Sequence, residues 1–294
     1  MNGRISRYIN PASGLARRFW ENGVLEDCPV YDFHGHMHEF VGAFMPACEP
    51  ELMAAAVRAA GIRSFFFCSH QSLCSAEIGE SANITAVKQL GEGGVFRAYH
   101  AVRSYDLDFE RDRAVYEANP EIYAGLKFWP DYFHVPLEAA CHRPYWEYAD
   151  AHKLLCLTHT WGGSAFDGAA NIRAIAEQYR NITLICGHSV HGDWNTAITL
   201  AREYPNVYLE LTAVLDDRGV LERFVAGAGS EKLLFGTDLP WFATSHGIGC
   251  ILDAQISDED RRNILYRNGE RILSRFPWHK PFPNENSAGD FPSA

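Results

Sequence analysis

Short apolar runs alternate with helix-patterned segments along most of this chain, and that alternation limits the folds open to it. The runs are Cys28–His34, Ile62–Cys68, Gly94–Val102, Ala124–Trp129, Leu154–His159, Ile182–His188, Val207–Thr212 and Lys232–Asp238. Some, such as Phe65-Phe66-Phe67-Cys68, are apolar without alternation, as strands buried on both faces of a parallel sheet must be. Between them the pattern predicts helices over Pro50–Ala60, stopped by Gly61, and over Ser81–Leu90, Phe109–Ala118, Pro144–Lys153, Ala169–Arg180, Asp193–Tyr204 and Arg218–Ala226. A last helix is expected over Ser257–Phe276, with Ser257 as N-cap and Glu259 and Asp260 in its first turn. Eight strands, each followed by a helix, close as an α/β protein with one (β/α)8 TIM-barrel domain. A doubly wound open sheet would want a glycine-rich fingerprint after the first strand, and there is none.

The barrel is expected over residues 28–277. A lead-in, 1–27, precedes it, with a short helix near Pro11–Asn22, and a tail rich in Pro, Asn and Ser, 278–294, follows it. At 47% hydrophobic and 21% charged, the chain reads as an ordinary globular protein. Its net charge of −11, with no basic run, argues against nucleic acid or an anionic membrane as partner. Eight cysteines are scattered with no CxxC pair, and Cys68, Cys156 and Cys186 lie inside apolar runs as small core residues. Free thiols fit a reducing cytoplasm. The segment Met1–Ile5 lacks the apolar core of a signal peptide, and no run is long enough to span a bilayer.

Active sites of such barrels lie at the C-terminal ends of the strands, so the residues closing each run carry the functional reading. The first run leads into His34-Gly35-His36, two imidazoles with period two that point to one side of a strand and can converge on one cation. Lys127 lies in the fourth run, His159 ends the fifth, His188 the sixth and Asp238 the eighth. Taken singly, each has a plainer explanation: a hydrogen-bonded histidine, a solvated lysine, a turn-capping aspartate. Such groups closing five different strands at one face of a barrel outweigh those explanations together. Closure of the barrel makes the eighth strand a neighbour of the first, so Asp238 can reach an ion held by His34 and His36.

The pieces Asp32-Phe33-His34-Gly35-His36, Gly125-Leu126-Lys127, Thr158-His159, Gly187-His188 and Phe235-Gly236-Thr237-Asp238-Leu239-Pro240, with the closing helix at Ile256–Asp260, resemble the second amidohydrolase family of the amidohydrolase superfamily, over about Val30 to Leu273. The resemblance implies that His34, His36, His159 and Asp238 bind a single divalent ion, and that His188 holds the metal-bound water or the reacting group. Three nitrogens and one oxygen with room for water favour zinc, with manganese also accommodated. Lys127 has two readings: a carboxylated bridge between two metals, or a contact to substrate or a neighbouring acid in a one-metal site; one metal is expected. Relatives are often homodimers.

The implied chemistry is hydrolysis of a carboxylic ester, lactone or amide of a small molecule, with Asp238 as proton carrier and His188 steadying the water or an oxyanion. The same ligand set serves decarboxylases of aromatic or unsaturated acids, which stand as the alternative. A barrel that binds metal without catalysis is a third reading, and it would expect a decayed ligand set. Aromatic residues follow several strands, and Trp129, Trp161 and Trp241 are the expected pocket walls. His70 and Arg103 are candidates for gripping an anion.

Overall fold

The computed structural model describes residues 12–25, 27–90, 94–215 and 217–282. The start of the lead-in, the Pro11 end of its helix and the tail beyond Phe282 lie outside the described residues. Eight parallel strands form one sheet in chain order: β1 (Val30–Met37), β2 (Ile62–Ser69), β3 (Phe96–Val102), β4 (Tyr123–Phe128), β5 (Leu155–Trp161), β6 (Thr183–His191), β7 (Val207–Glu210) and β8 (Leu233–Leu234). Helices alternate with the strands, giving a single-domain (β/α)8 barrel.

The ring is completed by main-chain bonds between β1 and the segment after β8. Phe33 N donates to Phe235 O (2.9 Å), Asp238 N to His34 O (2.7 Å) and His36 N to Leu239 O (2.7 Å). This corrects the expected eighth strand, Lys232–Asp238, whose regular ladder is only two residues long. The cause is the partner: from Phe235 onward the chain bonds to β1 through these contacts in place of a regular ladder, and Asp238, at φ +56°, leaves the extended conformation altogether. Gly35 lets the first strand approach its neighbour, because a Cβ there would lie 2.1 Å from the Phe65 ring.

Strand alternation decides which side chains enter the barrel. On β4, Phe128 points outward and stacks on Trp146 of the helix Arg143–His152 (3.9 Å between rings, 5° between planes). Lys127 therefore points inward and is buried. Tyr99 of β3 crosses the interior to donate its hydroxyl to Phe33 O (3.1 Å). Burying this continuous apolar sheet under its helices is the main stabilising term, at roughly 25 cal/mol per Å² removed from water.

Two helices differ from their expected spans. The one after β2 starts earlier, at Ala76, behind a short 3-10 turn, His70–Leu73. The closing helix does begin at an N-cap Ser257, which forms a reciprocal capping box with Asp260, but a π-helical turn at Asn263–Arg267 interrupts it. A further helix, Thr244–Asp253, separates it from Asp238. Asp258 joins the two ends of the described chain, accepting from Ser13 Oγ (2.6 Å), Gly14 N (3.0 Å) and Leu15 N (3.3 Å) at the start of the helix Gly14–Asn22. Cys68, Cys156 and Cys186 are buried free thiols. Among the described residues, no helix is long and apolar enough to cross a membrane.

Candidate active site

The strand ends bring His34, His36, Lys127, His159, His188 and Asp238 to one cavity of about 330 Å³. Four of these imidazoles have Nδ1 against an acceptor from another part of the chain. His36 Nδ1 is 3.0 Å from Cys68 O and His188 Nδ1 is 3.3 Å from Thr212 O. His34 Nδ1 is 2.8 Å from Glu210 Oε2, and His159 Nδ1 is 2.8 Å from Asp167 Oδ2. Carbonyls and carboxylates accept, so each Nδ1 carries the proton and each Nε2 keeps a lone pair. This is the arrangement of metal-ligating histidines, whose second nitrogen donates to an orienting group.

The lone pairs converge. His36 Nε2 lies 3.1 Å and His34 Nε2 3.6 Å from Asp238 Oδ1. That oxygen is buried and makes no well-formed hydrogen bond, despite the short approach of His36. Two lone pairs facing a carboxylate oxygen repel unless a cation lies among them, so the donors present fit a divalent ion, and His34, His36 and Asp238 are grouped closely enough to share one. The His188 ring lies 5.0 Å from His34 and 4.9 Å from His159, extending the cluster across the barrel mouth. Lys127 Nζ is 2.9 Å from His34 Nε2, a bond that an ion on the same lone pair would replace.

Burial dominates the electrostatics. It lowers Lys127 to about 8, against the opposing pull of Asp238. It lowers His188 to about 3 and His34 well below its usual value. Burial pushes the Asp238 carboxyl up, but His34, His36 and His188 outweigh it and hold that group well below the carboxylate range. Glu210 is pushed up to about 8 by burial, opposed by its bonds from Thr212.

Aromatic rings wall the cavity. Trp129 stacks near His36 (6.2 Å) and under Lys127 Nζ (5.6 Å); Trp161 is parallel to His159 (5.9 Å, 7°). Trp241 and Tyr132 stand at the rim, 40% and 46% exposed. His70 also lines the cavity, but Trp241 Nε1 donates to its Nε2 (3.1 Å) and its own Nδ1 faces His38 O (3.0 Å). Neither nitrogen is left to grip an anion, and burial lowers the ring to about 3. Arg103 is not among the lining residues: its guanidinium donates to Leu73 O (3.3 Å) and pairs with Asp106 (3.6 Å). Sequence reasoning missed Glu210 and Asp167. Glu210 had a signal, being a lone carboxylate inside the apolar run Val207–Thr212; Asp167, in the loop after β5, had none.

Solved structures with the same fold include a 2,6-dihydroxybenzoate decarboxylase from Rhizobium (TM-score 0.67, 14% identity, covering 84% of this chain and 98% of that one). A dihydroxybenzoic acid decarboxylase from Polaromonas sp. JS666, with bound manganese and 2-nitroresorcinol, gives 0.65 at 16% identity, covering 84% and 97%. A 5-carboxyvanillate decarboxylase from Novosphingobium aromaticivorans, complexed with manganese and 4-hydroxy-3-methoxy-5-nitrobenzoic acid, gives 0.63 at 10% identity, covering 84% and 96%. No curated protein sequence matches this chain. Residues 27–275 match the family model described as Amidohydrolase, nearly the whole barrel with every strand end that supplies the site. The chain therefore belongs to the amidohydrolase family of barrel enzymes.

Proposed function

We propose that this enzyme is a metal-dependent, non-oxidative decarboxylase of a small aromatic carboxylic acid. The observation that carries this reading is the make-up of the cavity. Planar rings (Trp129, Tyr132, Trp161, Trp241) wall a space of about 330 Å³ above imidazoles, Asp238 and one ammonium, Lys127. Such a slot takes one flat ring, and Lys127 offers a partner to one carboxylate or phenolate. The structural likeness to decarboxylases of aromatic acids supports the same reading.

His34, His36, His159 and Asp238 would hold one divalent ion: zinc from the three-nitrogen, one-oxygen donor set, manganese from the likeness to the two manganese-bound decarboxylases. A bound divalent ion supplies Lewis-acid polarisation of a substrate oxygen. Decarboxylation breaks the bond from ring to carboxylate, releases CO2 and leaves a carbon that needs a proton. Asp238 is the carboxyl at the cavity floor to carry it. An entering carboxylate raises the pKa of Asp238 by like-charge repulsion, so protonation of Asp238 is coupled to substrate binding. Neutral His188 orients the reacting group.

Hydrolysis of an ester, lactone or amide is the second reading, favoured by the unpartnered Asp238 Oδ1, a ready acceptor for a proton from water. The deciding experiment loads the protein with Mn2+ or Zn2+ and assays hydroxybenzoates for CO2 release beside lactones and amides for hydrolysis. CO2 and the decarboxylated phenol are expected; turnover of a lactone or amide with no CO2 from any acid overturns the decarboxylase reading.

A further inference from the structure

A carboxylate folded wholly inside an apolar barrel needs a reason, because burying an unpaired charge is costly. Glu210, the last residue of β7, is fully buried. Its Oε2 lies 2.8 Å from His34 Nδ1 and accepts from His188 N (3.3 Å); its Oε1 accepts from Thr212 N (2.7 Å) and from the Thr212 hydroxyl. Its own carbonyl accepts from Ser189 Oγ (2.7 Å), while Thr212 O receives His188 Nδ1 (3.3 Å). Room for the carboxylate is built in: a Cβ on Gly236 would lie 2.1 Å from Glu210 Oε1 and 2.8 Å from His34 Cβ.

The segment it contacts is strained. His188, Ser189 and Val190 have φ of +65°, +52° and +54°, three consecutive non-glycine residues in left-handed backbone. Such a run persists only where surrounding bonds hold it. Glu210 supplies two of them, one from each end of the residue: its carboxylate to His188 N and its carbonyl to Ser189 Oγ.

We infer that Glu210 is a positioning residue that couples His34 to His188, fixing which His34 nitrogen faces the cavity and holding the His188 turn in place. The inference rests on the reading of His34 as a metal ligand. Every group around the carboxylate is a donor, and the main-chain N–H groups of His188 and Thr212 cannot reverse that role. A glutamine in its place must turn its NH2 towards one of the two sets of donors. Facing His34, the amide drives the imidazole proton from Nδ1 to Nε2 and removes the lone pair offered to the ion. Facing Thr212, it opposes the Thr212 N–H and displaces the carbonyl that braces His188.

The test uses full-length protein. Imidazole 15N–1H correlation spectra of the metal-free wild type at about pH 9, above the value of about 8 to which burial pushes Glu210, with His34 assigned by its loss in His34→Gln, are expected to show the Nδ1–H tautomer. Glu210→Gln is expected to shift His34 towards Nε2–H and to weaken Mn2+ binding, read against a competing chelator, by about 10- to 100-fold. Gly236→Ala displaces the carboxylate without altering its charge and is expected to weaken Mn2+ binding in the same direction. A wild-type His34 found as Nε2–H overturns the inference whether or not either variant folds. So does a folded Glu210→Gln with unchanged His34 tautomer and Mn2+ affinity. A wild type that takes up neither Mn2+ nor Zn2+ overturns the metal-ligand reading instead, and the tautomer spectra still decide the brace.

Discussion

His36 Nε2 and Asp238 Oδ1 face each other across 3.1 Å, although the imidazole proton sits on the other ring nitrogen, committed to Cys68 O. The pair comes from opposite ends of the barrel sequence and meets because main-chain bonds from β1 to Phe235, Asp238 and Leu239 close the ring. An imidazole lone pair facing a buried carboxylate oxygen is a donor pair that a cation would satisfy, and the variants below test that reading.

Removing the imidazole of His36 should remove metal and activity together. His188→Ala should keep most of the metal and lose turnover, because the ligands proposed are His34, His36, His159 and Asp238; the other grouping close enough for an ion, His34, His188 and Glu210, has its carboxylate already committed to His34 Nδ1 and Thr212 N. Metal content by elemental analysis, beside turnover, checks both; equal metal loss in the two variants would make His188 a ligand. Chelator treatment of the wild type should abolish turnover, and added Mn2+ or Zn2+ should restore it.

Asp238→Asn preserves size and one oxygen donor but removes the basic carboxylate. The variant should retain part of its metal while turnover falls by about two to four powers of ten, the usual worth of a positioned acid or base. Near wild-type turnover with metal bound would mean that another group carries the proton.

Acid should remove the stability that neutral His188 and His70 contribute to the metal-free fold. Burial, partly offset by Asp238, lowers His188 to about 3; burial, reinforced by His36, lowers His70 to about 3. Because the folded values lie below the unfolded 6.5, the unfolded chain binds more protons in that window. The contribution of these two histidines is therefore greatest above pH 6.5 and falls as pH drops towards 3, by about 1.4 kcal/mol per pH unit for each. Buried Asp32 and Glu210, pushed up to about 7 and about 8, act in the opposite sense, losing stability as pH rises through their range. Urea midpoints at pH 7.5, 5.5 and 4.5 for wild type and His70→Gln isolate one histidine from that background: the variant should show the shallower loss, and parallel curves would count against a neutral buried His70.

Trp161 is 39% exposed, parallel to His159 and stacked on His191 (4.0 Å, 13°), so it should contact a planar substrate while adding only a surface stack to the fold. Trp161→Ala removes a stacking partner worth about 0.5–1.5 kcal/mol. KM should rise by roughly two- to tenfold, with metal content unchanged and Tm lowered only slightly by loss of the His191 stack. A fall in Tm with KM unaltered would make Trp161 a packing residue of the rim.

Apolar runs and their spacing determined the barrel, because strands covered on both faces cannot alternate and helices between them must. The same pattern placed His34, His36, Lys127, His159, His188 and Asp238 at one end, since period two and strand termini are local properties. What each imidazole does with its two nitrogens was decided by tertiary structure alone. The acceptors that set them, Cys68 O, Glu210, Asp167 and Thr212 O, arrive from other strands or from a loop. The occupied nitrogens of His70 and the turning of Arg103 towards Asp106 are likewise set by partners that sequence position does not specify. So is the shortness of β8, where left-handed Asp238 exchanges a regular ladder for bonds to β1. Strand pattern depends on a residue's neighbours in the chain, but proton placement depends on whichever acceptor the closed barrel carries within 3 Å or so, and only folding brings that acceptor there.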